Sequence, residues 1–298
     1  MDLTVLAERL RASFPGVPIV TPLSVLGEGF DSVVVETANG IVFRIAKHVH
    51  ASWGRQREGA VLSVVQRHVR ALNIPLVRHD LDESDAFPYG VIGYEKLPGR
   101  PLRPDDIDHE NRIRIAGQVA GFLTELHSID IRELSEIPLL RFPPSRERLV
   151  DLGRNVSAYL AQHLSRNQYQ EFQRWWADLL DYSQRYSCVL ALIHGDLWYE
   201  NMLFDEQQRS LVGVIDFTNV SIGDSAIDLA TQRYMGDRFA GTVIDNYYRG
   251  HVPTDLTGRI NALLGLRELL GLEHGILTND VDEEAVSKVN HAMRIALS

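Results

Sequence analysis

Asp196, Asn201 and Asp216 are the residues of this chain whose types and spacing could do chemistry together. They stand in His194-Gly195-Asp196-Leu197-Trp198-Tyr199-Glu200-Asn201 and in Ile215-Asp216-Phe217. Phosphoryl transfer from a nucleotide needs such a set. One carboxylate must orient and deprotonate the attacking hydroxyl. A second carboxylate and a neutral amide oxygen must hold Mg²⁺, a hard cation that takes oxygen ligands. Asp196 is the candidate base, and Asn201 and Asp216 are the candidate metal ligands. Each taken singly has a plain structural alternative: Asp196 capping a turn, Asn201 satisfying loop backbone, Asp216 ending a strand. The apolar run Val212–Ile215 leading straight into Asp216 favours the joint chemical reading.

Such groups must be held by a fold, and the apolar pattern indicates which. Residues 2–13 place Leu3, Leu6, Leu10 and Phe14 at helical spacing. A β-rich region follows. Val20–Leu26, Ser32–Thr37 and Ile41–Ala46 read as strands, the first broken by Gly27-Glu28-Gly29 and the last two joined by a turn at Ala38-Asn39-Gly40. Residues 54–72 read as a helix, and 75–80 and 89–97 as two more strands. Pro98-Gly99-Arg100-Pro101 is the best boundary. Beyond it, helices are expected over 110–127, 145–164, 167–186, 224–234, 237–249, 255–274 and 282–297. Met202–Phe204 and Leu211–Ile215 are the only β-like runs expected there. The result is an α+β chain in two lobes. Residues 1–97, with a five-stranded antiparallel sheet and one helix, would bind nucleotide. Residues 98–298, mostly helical, would carry catalysis and substrate binding, with a hinge at about 94–100.

Composition narrows the partners. An apolar share of 45% supports an ordinary core, and no apolar run approaches the roughly 18–20 residues of a membrane span. The start, Met1-Asp2-Leu3-Thr4, has no basic segment leading into an apolar one, so no signal peptide is read. Cys188 is the only cysteine, which points to a reducing cytoplasm and to a thiol buried in an apolar strand. The net charge of −10 argues against a nucleic-acid partner. It either keeps the protein soluble or steers a cationic substrate. A monomer without a membrane partner is expected.

Protein kinases carry His-Arg-Asp followed by Asn, then Asp-Phe-Gly. Here Gly195 replaces the arginine and Thr218 the last glycine. That variant resembles the aminoglycoside-phosphotransferase family of small-molecule kinases. Gly27-Glu28-Gly29-Phe30-Asp31-Ser32, Val42-Phe43-Arg44-Ile45-Ala46-Lys47 and Leu123-Thr124-Glu125-Leu126-His127-Ser128-Ile129 look most like its aminoglycoside 2″-phosphotransferase branch. Gly223-Asp224-Ser225-Ala226-Ile227-Asp228-Leu229-Ala230 resembles the family's Gly-Asp-Pro…Asp-Leu-Ala segment, with serine for proline. The likeness spans Gly27 to about Tyr248. It implies a two-lobed protein-kinase-like fold and transfer of the γ-phosphoryl of ATP or GTP, with Mg²⁺, to a hydroxyl of a small molecule. An aminoglycoside antibiotic comes first, which would make the chain a resistance enzyme. A macrolide kinase, a kinase for a metabolite alcohol or sugar, and a nucleotide-binding pseudokinase acting as a regulatory module are the alternatives.

The resemblance also assigns roles. Gly27 and Gly29 would let backbone N–H groups approach phosphates, because glycine lacks a Cβ and tolerates positive φ. Ser32, standing where kinases have a third glycine, would donate to a phosphate. Kinases place a lysine on the third strand, paired with a glutamate of the next helix. Arg44 falls at that position with Lys47 as the alternative, and Glu58 is the partner. The hinge segment Tyr94, Glu95 and Leu97 would frame the purine, with Tyr94 at the back of the pocket. Asp224 would brace the catalytic loop or cap the helix after it, and Asp228 and His194 would be structural. Branch members bind substrate amines with an acidic cluster. Here Gln232-Arg233-Tyr234-Met235-Gly236-Asp237-Arg238 holds one acid. Glu268, Glu273, Asp280, Asp282, Glu283 and Glu284 either supply the missing acids or form solvated faces.

Overall fold

The computed structural model describes residues 2–29, 31–281 and 284–297. They divide into two compact units, Met1–Leu139 with Asp196–Val220, and Leu140–Gly195 with Ser221–Ser298. This grouping by packing is not the functional division expected at 97/98, since residues 98–139 and 196–220 pack with the first stretch.

In the first unit, helix α1 (Leu3–Ser13) starts where the Asp2 carboxylate accepts from the N–H of Thr4 at 2.8 Å. Strands β1 (Ser24–Glu28), β2 (Ser32–Glu36), β3 (Ile41–Ala46), β4 (Val77–Leu81) and β5 (Val91–Glu95) form the antiparallel sheet, in the order β1-β2-β3-β5-β4. Leu6 and Leu10 of α1 join Val35, Phe43 and Val91 of the sheet in one core. β3 is central, pairing Arg44 with Val34 on one side and Ile92 on the other. β1 starts later than the expected Val20, because Pro22 cannot donate to a ladder. It then continues through Gly27 to Glu28, so Gly27 belongs to the strand.

Helix α2 (Val49–His68) lies between β3 and β4 and starts five residues earlier than its apolar pattern indicates. The ring of His48 accepts from Ala51 N–H and caps it. Its apolar face, Val61, Leu62 and Val65, is buried. Helix α3 (Arg112–His127) buries Ile115, Val119, Phe122, Leu123 and Leu126, whereas Ile113 of the same helix is exposed. Met202–Asp205 and Ser210–Val214 pair as a hairpin, and Arg100–Pro101 adds a third strand to it.

The second unit corrects the expectation of two β-like runs after residue 98. Leu140–Phe142, Ser221–Asp224 and Leu190–Ile193 form a further small sheet. Strands of three or four residues show no alternation to read, and their partners are distant in sequence. Gly223 has a local reason: a Cβ there would collide with the carbonyl oxygen of Phe142. The helix expected over 224–234 is accordingly a strand end, then Ala226–Ala230 and a 3₁₀ turn Thr231–Met235. The one expected over 167–186 is Arg166–Leu180 followed by a single turn, Tyr182–Arg185. Cys188 is half-buried and precedes the strand Leu190–Ile193, so it is not the strand residue anticipated. No described helix is long and apolar enough to cross a membrane.

A buried ion pair braces this unit. Asp224, wholly buried, accepts from Arg259 Nε at 2.8 Å, from the Tyr182 hydroxyl at 2.6 Å and from Ala226 N–H at 2.9 Å. Burial pushes the Asp224 carboxyl up, but the hydrogen bonds from Arg259 and Tyr182 outweigh it and hold the group below its ordinary value. Asp224→Ala removes the main counter-charge of the buried Arg259 and leaves it only Asp255 at 3.7 Å, so urea unfolding should show a loss of about 3–5 kcal/mol. The stabilising contribution of Asp224 is present above its unfolded pKa of 3.8 and is lost as pH falls through the lower folded value. The gap between wild type and variant should therefore shrink only in acid, and a gap that widens there would contradict this network.

Candidate active site

Arg44 is the meeting point of the first unit. Its Nη1 lies 3.3 Å from Glu58 Oε2 of α2 and 3.0 Å from Asp216 Oδ1, while its Nε donates to Ser32 Oγ at 3.1 Å. Glu58 is buried and also accepts from the backbone of Phe217. Burial lowers the Arg44 pKa, but the charges of Glu58 and Asp216 outweigh it, and the net direction is upward: the guanidinium stays charged. Burial also pushes the Glu58 carboxyl up, and the Arg44 charge counters it. Lys47 goes elsewhere. Its Nζ bonds Glu28 Oε1 at 3.1 Å and the Gly29 carbonyl at 2.9 Å, tying it to the glycine turn. Of the two candidate cations, the one beside Glu58 and Asp216 is Arg44.

Neither Gly27 nor Gly29 has a positive φ, and a Cβ at either would meet nothing within 4 Å. Backbone conformation and local packing therefore leave these two glycines unexplained, and the space beside them is open. Asp31, Ser32, Arg44, Glu58 and Thr218 border one small cavity.

The segment from His194 to Asn201 is held by separate contacts in each unit. In the second unit, the buried Asp228 accepts from the backbone N–H of His194 and of Gly195, one on each carboxylate oxygen, both at 2.8 Å. Gly195 has φ +79°, a conformation that the arginine of protein kinases would adopt only with strain. In the first unit, Asn201 donates from Nδ2 to the Asp196 carbonyl at 2.8 Å and to its carboxylate at 3.4 Å. Asn201 also accepts Ile215 N–H on its own carbonyl at 2.9 Å. That bond fixes Ile215, the residue before Asp216, to Asn201. With Nδ2 turned to Asp196, the amide oxygen of Asn201 is the group left for a cation.

Asp216 itself sits at φ 63°, ψ 71°, a left-handed conformation uncommon for a non-glycine residue. Arg44 and Thr218 hold it there, the latter through both its N–H and its hydroxyl. The pair of hard oxygen donors, one carboxylate and one amide, suits Mg²⁺ completed by phosphates and water. Among the described residues no cluster of three or more His, Cys, Asp or Glu forms a site that could hold a metal by itself.

Tyr94 is opposite Val42 across the β3–β5 pair. Burial pushes its hydroxyl pKa up, and the Glu58 charge adds to the shift. Lys96 N–H bonds the Gly40 carbonyl at 2.8 Å, so the peptide groups of Glu95, one residue away, turn from β3. Leu97 packs over Gly213.

The acids expected on the C-terminal helices are not solvated faces throughout. Glu273 is buried against Arg148 and Asn155, and Glu268 accepts from the Tyr234 hydroxyl. Glu284 pairs with Lys288 at 3.7 Å, and Asp280 is exposed. Asp282 and Glu283 lie outside the described residues. Asp237, the acid of 232–238, is bonded to Arg233 at 3.0 Å.

Sequence reasoning left Thr218 without a role and called Asp228 only structural. Thr218 was visible as a departure from Asp-Phe-Gly. The contact of Asp228 with two N–H groups more than thirty residues earlier left no local trace.

A family model described as "Phosphotransferase enzyme family" matches residues 22–260. Solved structures share the fold. The GDP and kanamycin complex of APH(2")-IIia is 21% identical, with a TM-score of 0.84, and 99% of each chain is covered. The streptomycin–ATP–APH(2")-IIa ternary complex is 18% identical, with a TM-score of 0.72, covering 99% of this chain and 96% of that one. Macrolide 2'-phosphotransferase type I is 18% identical, with a TM-score of 0.72, covering 98% and 96%.

Asp228→Ala should release the amides of His194 and Gly195. Each buried N–H left without a partner costs about 1–3 kcal/mol. Hydrogen exchange should show both amides losing protection while α1 and β3 keep theirs. Retained protection at His194 and Gly195 would rule out the anchoring role.

Proposed function

The chain belongs to the phosphotransferase enzyme family, and from that premise we propose that it moves the γ-phosphoryl group of ATP or GTP to a hydroxyl of a small molecule. One observation supports this above others. A single charged guanidinium, Arg44, bonds Ser32, Glu58 and Asp216, while Asn201 bonds both Asp196 and the segment leading into Asp216. In this reading Asp196 accepts the hydrogen bond of the acceptor hydroxyl and takes its proton as the phosphoryl group arrives. Arg44 and Ser32 contact phosphate oxygens beneath the glycine turn at Gly27 and Gly29, with Lys47 bound to that turn. Glu58 orients Arg44. Tyr94, Glu95 and Leu97 frame the purine. Asn201 and Asp216 would hold Mg²⁺, which would supply charge stabilisation at the phosphates. Residues 1–97 then serve the nucleotide, and 98–298 serve catalysis and the acceptor.

The acceptor proposed first is an aminoglycoside-type antibiotic, with resistance as the consequence and the cytoplasm as the setting. The engagement of Asp237 with Arg233 favours a second reading, a macrolide or another alcohol with less positive charge.

Nucleotide turnover measured against panels of aminoglycosides, macrolides and sugar or amino alcohols tests both. Stimulation by an aminoglycoside supports the first reading, and stimulation by another alcohol alone replaces it. With the active acceptor, Asp196→Ala should lower kcat by about 10²–10⁴-fold with an unchanged circular dichroism spectrum. Near-normal turnover would sink the base assignment. Arg44→Met should raise the nucleotide KM by at least about tenfold, given the strength of charge-assisted bonds to phosphate, and an unchanged KM would transfer that role to Lys47.

A further inference from the structure

A cavity of about 510 Å³ lies within the second unit, walled by residues of Arg141–Leu149, Leu180–Leu190 and Ile222. That volume is in the range of small-molecule sites, about 300–1,000 Å³. Its lining is mixed: Phe142, Leu149, Leu180, Tyr182 and Leu190 supply an apolar and aromatic part, and the rest of the wall is polar. Three arginines, Arg141, Arg146 and Arg185, also line it, and no carboxylate does among the described residues. Arg146 and Arg185 have carboxylate partners outside the lining, Asp181 and Asp178, which leaves Arg141 as the uncompensated charge at the wall among the described residues.

The arginines are only partly committed. Arg146 uses Nη1 for the Leu180 carbonyl and Asp181, and Arg185 uses Nη2 for Asp178 at 3.0 Å. Each keeps further N–H donors. Arg141 has no carboxylate partner among the described residues. The sign of this charge opposes a polycationic acceptor, and none of the residues proposed above for nucleotide, metal or base lines the cavity.

We propose that this cavity is a second small-molecule site, one that takes an organic anion. An apolar or aromatic body would lie on Phe142, Leu149 and Leu190, and a carboxylate, sulfonate or phosphate group would reach Arg141 and the unused donors of Arg146 and Arg185. The combination is complementary in both charge and polarity, and guanidinium forks match such anions. The site stands independently of which acceptor the enzyme phosphorylates.

The chain's only cysteine lines this cavity and is half-buried, which gives a reporter at the site. Burial and the Asp224 carboxylate push the Cys188 thiol pKa up, so alkylation is followed at one fixed, mildly alkaline pH. Anilinonaphthalene sulfonate serves as the anionic probe and phenylnaphthylamine as its neutral counterpart. Iodoacetamide labelling of the whole protein is read by mass spectrometry. The sulfonate at saturation should slow labelling of Cys188 by at least about tenfold. The neutral compound and Mg-ATP alone should leave the rate nearly unchanged. Arg141→Glu, at an exposed position, should restore the unprotected rate in the presence of the sulfonate, with Arg141→Gln giving a smaller effect in the same direction. The proposal is overturned by an unslowed rate up to the solubility of the sulfonate, by equal protection from the neutral compound, by protection from Mg-ATP alone, or by protection that survives Arg141→Glu.

Discussion

The first unit depends on one half-buried positive charge. Arg44 stands on the central strand of the sheet, and its guanidinium is shared between Glu58 of the helix beside that strand and Asp216 of a loop far along the chain. A carboxylate as buried as Glu58 tolerates its charge only beside a counter-charge. The helix, the strand and the loop are thereby fixed to one another. A lysine would offer a single ammonium with freely turning donors. The planar fork of arginine can address two carboxylates and a hydroxyl from one position. Ser32, Glu58 and Asp216 are held in this way.

Around the segment from His194 to Asn201 the constraint is different in kind. Backbone groups, and not side-chain charges, must be placed. Asp228 takes up two consecutive N–H groups at His194 and Gly195, and the positive φ of Gly195 lets the chain turn directly afterwards into Asp196. Asn201 then closes the loop on Asp196 from the other side. Asp224, four residues before Asp228, is fixed by Arg259 and Tyr182, so the helix turn that presents Asp228 begins from a braced residue. Asp216 reaches its left-handed backbone conformation through contacts on its own side chain. A conformation of that cost persists where its surroundings over-determine it.

Much of this was legible in the residues. The apolar runs Val33-Val34-Val35 and Ile41-Val42-Phe43, the turn at Gly40 and the helical spacing of Ile115, Val119, Phe122 and Leu126 are local features of the chain. The pairing of Arg44 with Glu58 could be anticipated because strand and following helix are adjacent in sequence. The short strands Leu140–Phe142 and Ser221–Asp224 could not be seen. Their stability comes from pairing with each other and with Leu190–Ile193, and three residues carry no period. Glu268 and Glu273 look like helix-surface acids in sequence but are consumed by Tyr234, Arg148 and Asn155, partners that sequence order does not reveal.

The sequence by itself determined which groups are available for chemistry: Asp196, Asn201 and Asp216 at their fixed intervals, with Asp216 at the end of an apolar strand. Residue type and short-range periodicity are local properties, and those are what a chain displays in its order. The tertiary structure decided which cation faces Glu58 and Asp216, which carboxylate anchors His194 and Gly195, and that Arg141, Arg146, Arg185 and Cys188 share one cavity. Those outcomes depend on distances between residues remote in the chain, and such distances exist only once burial and pairing have brought the segments together.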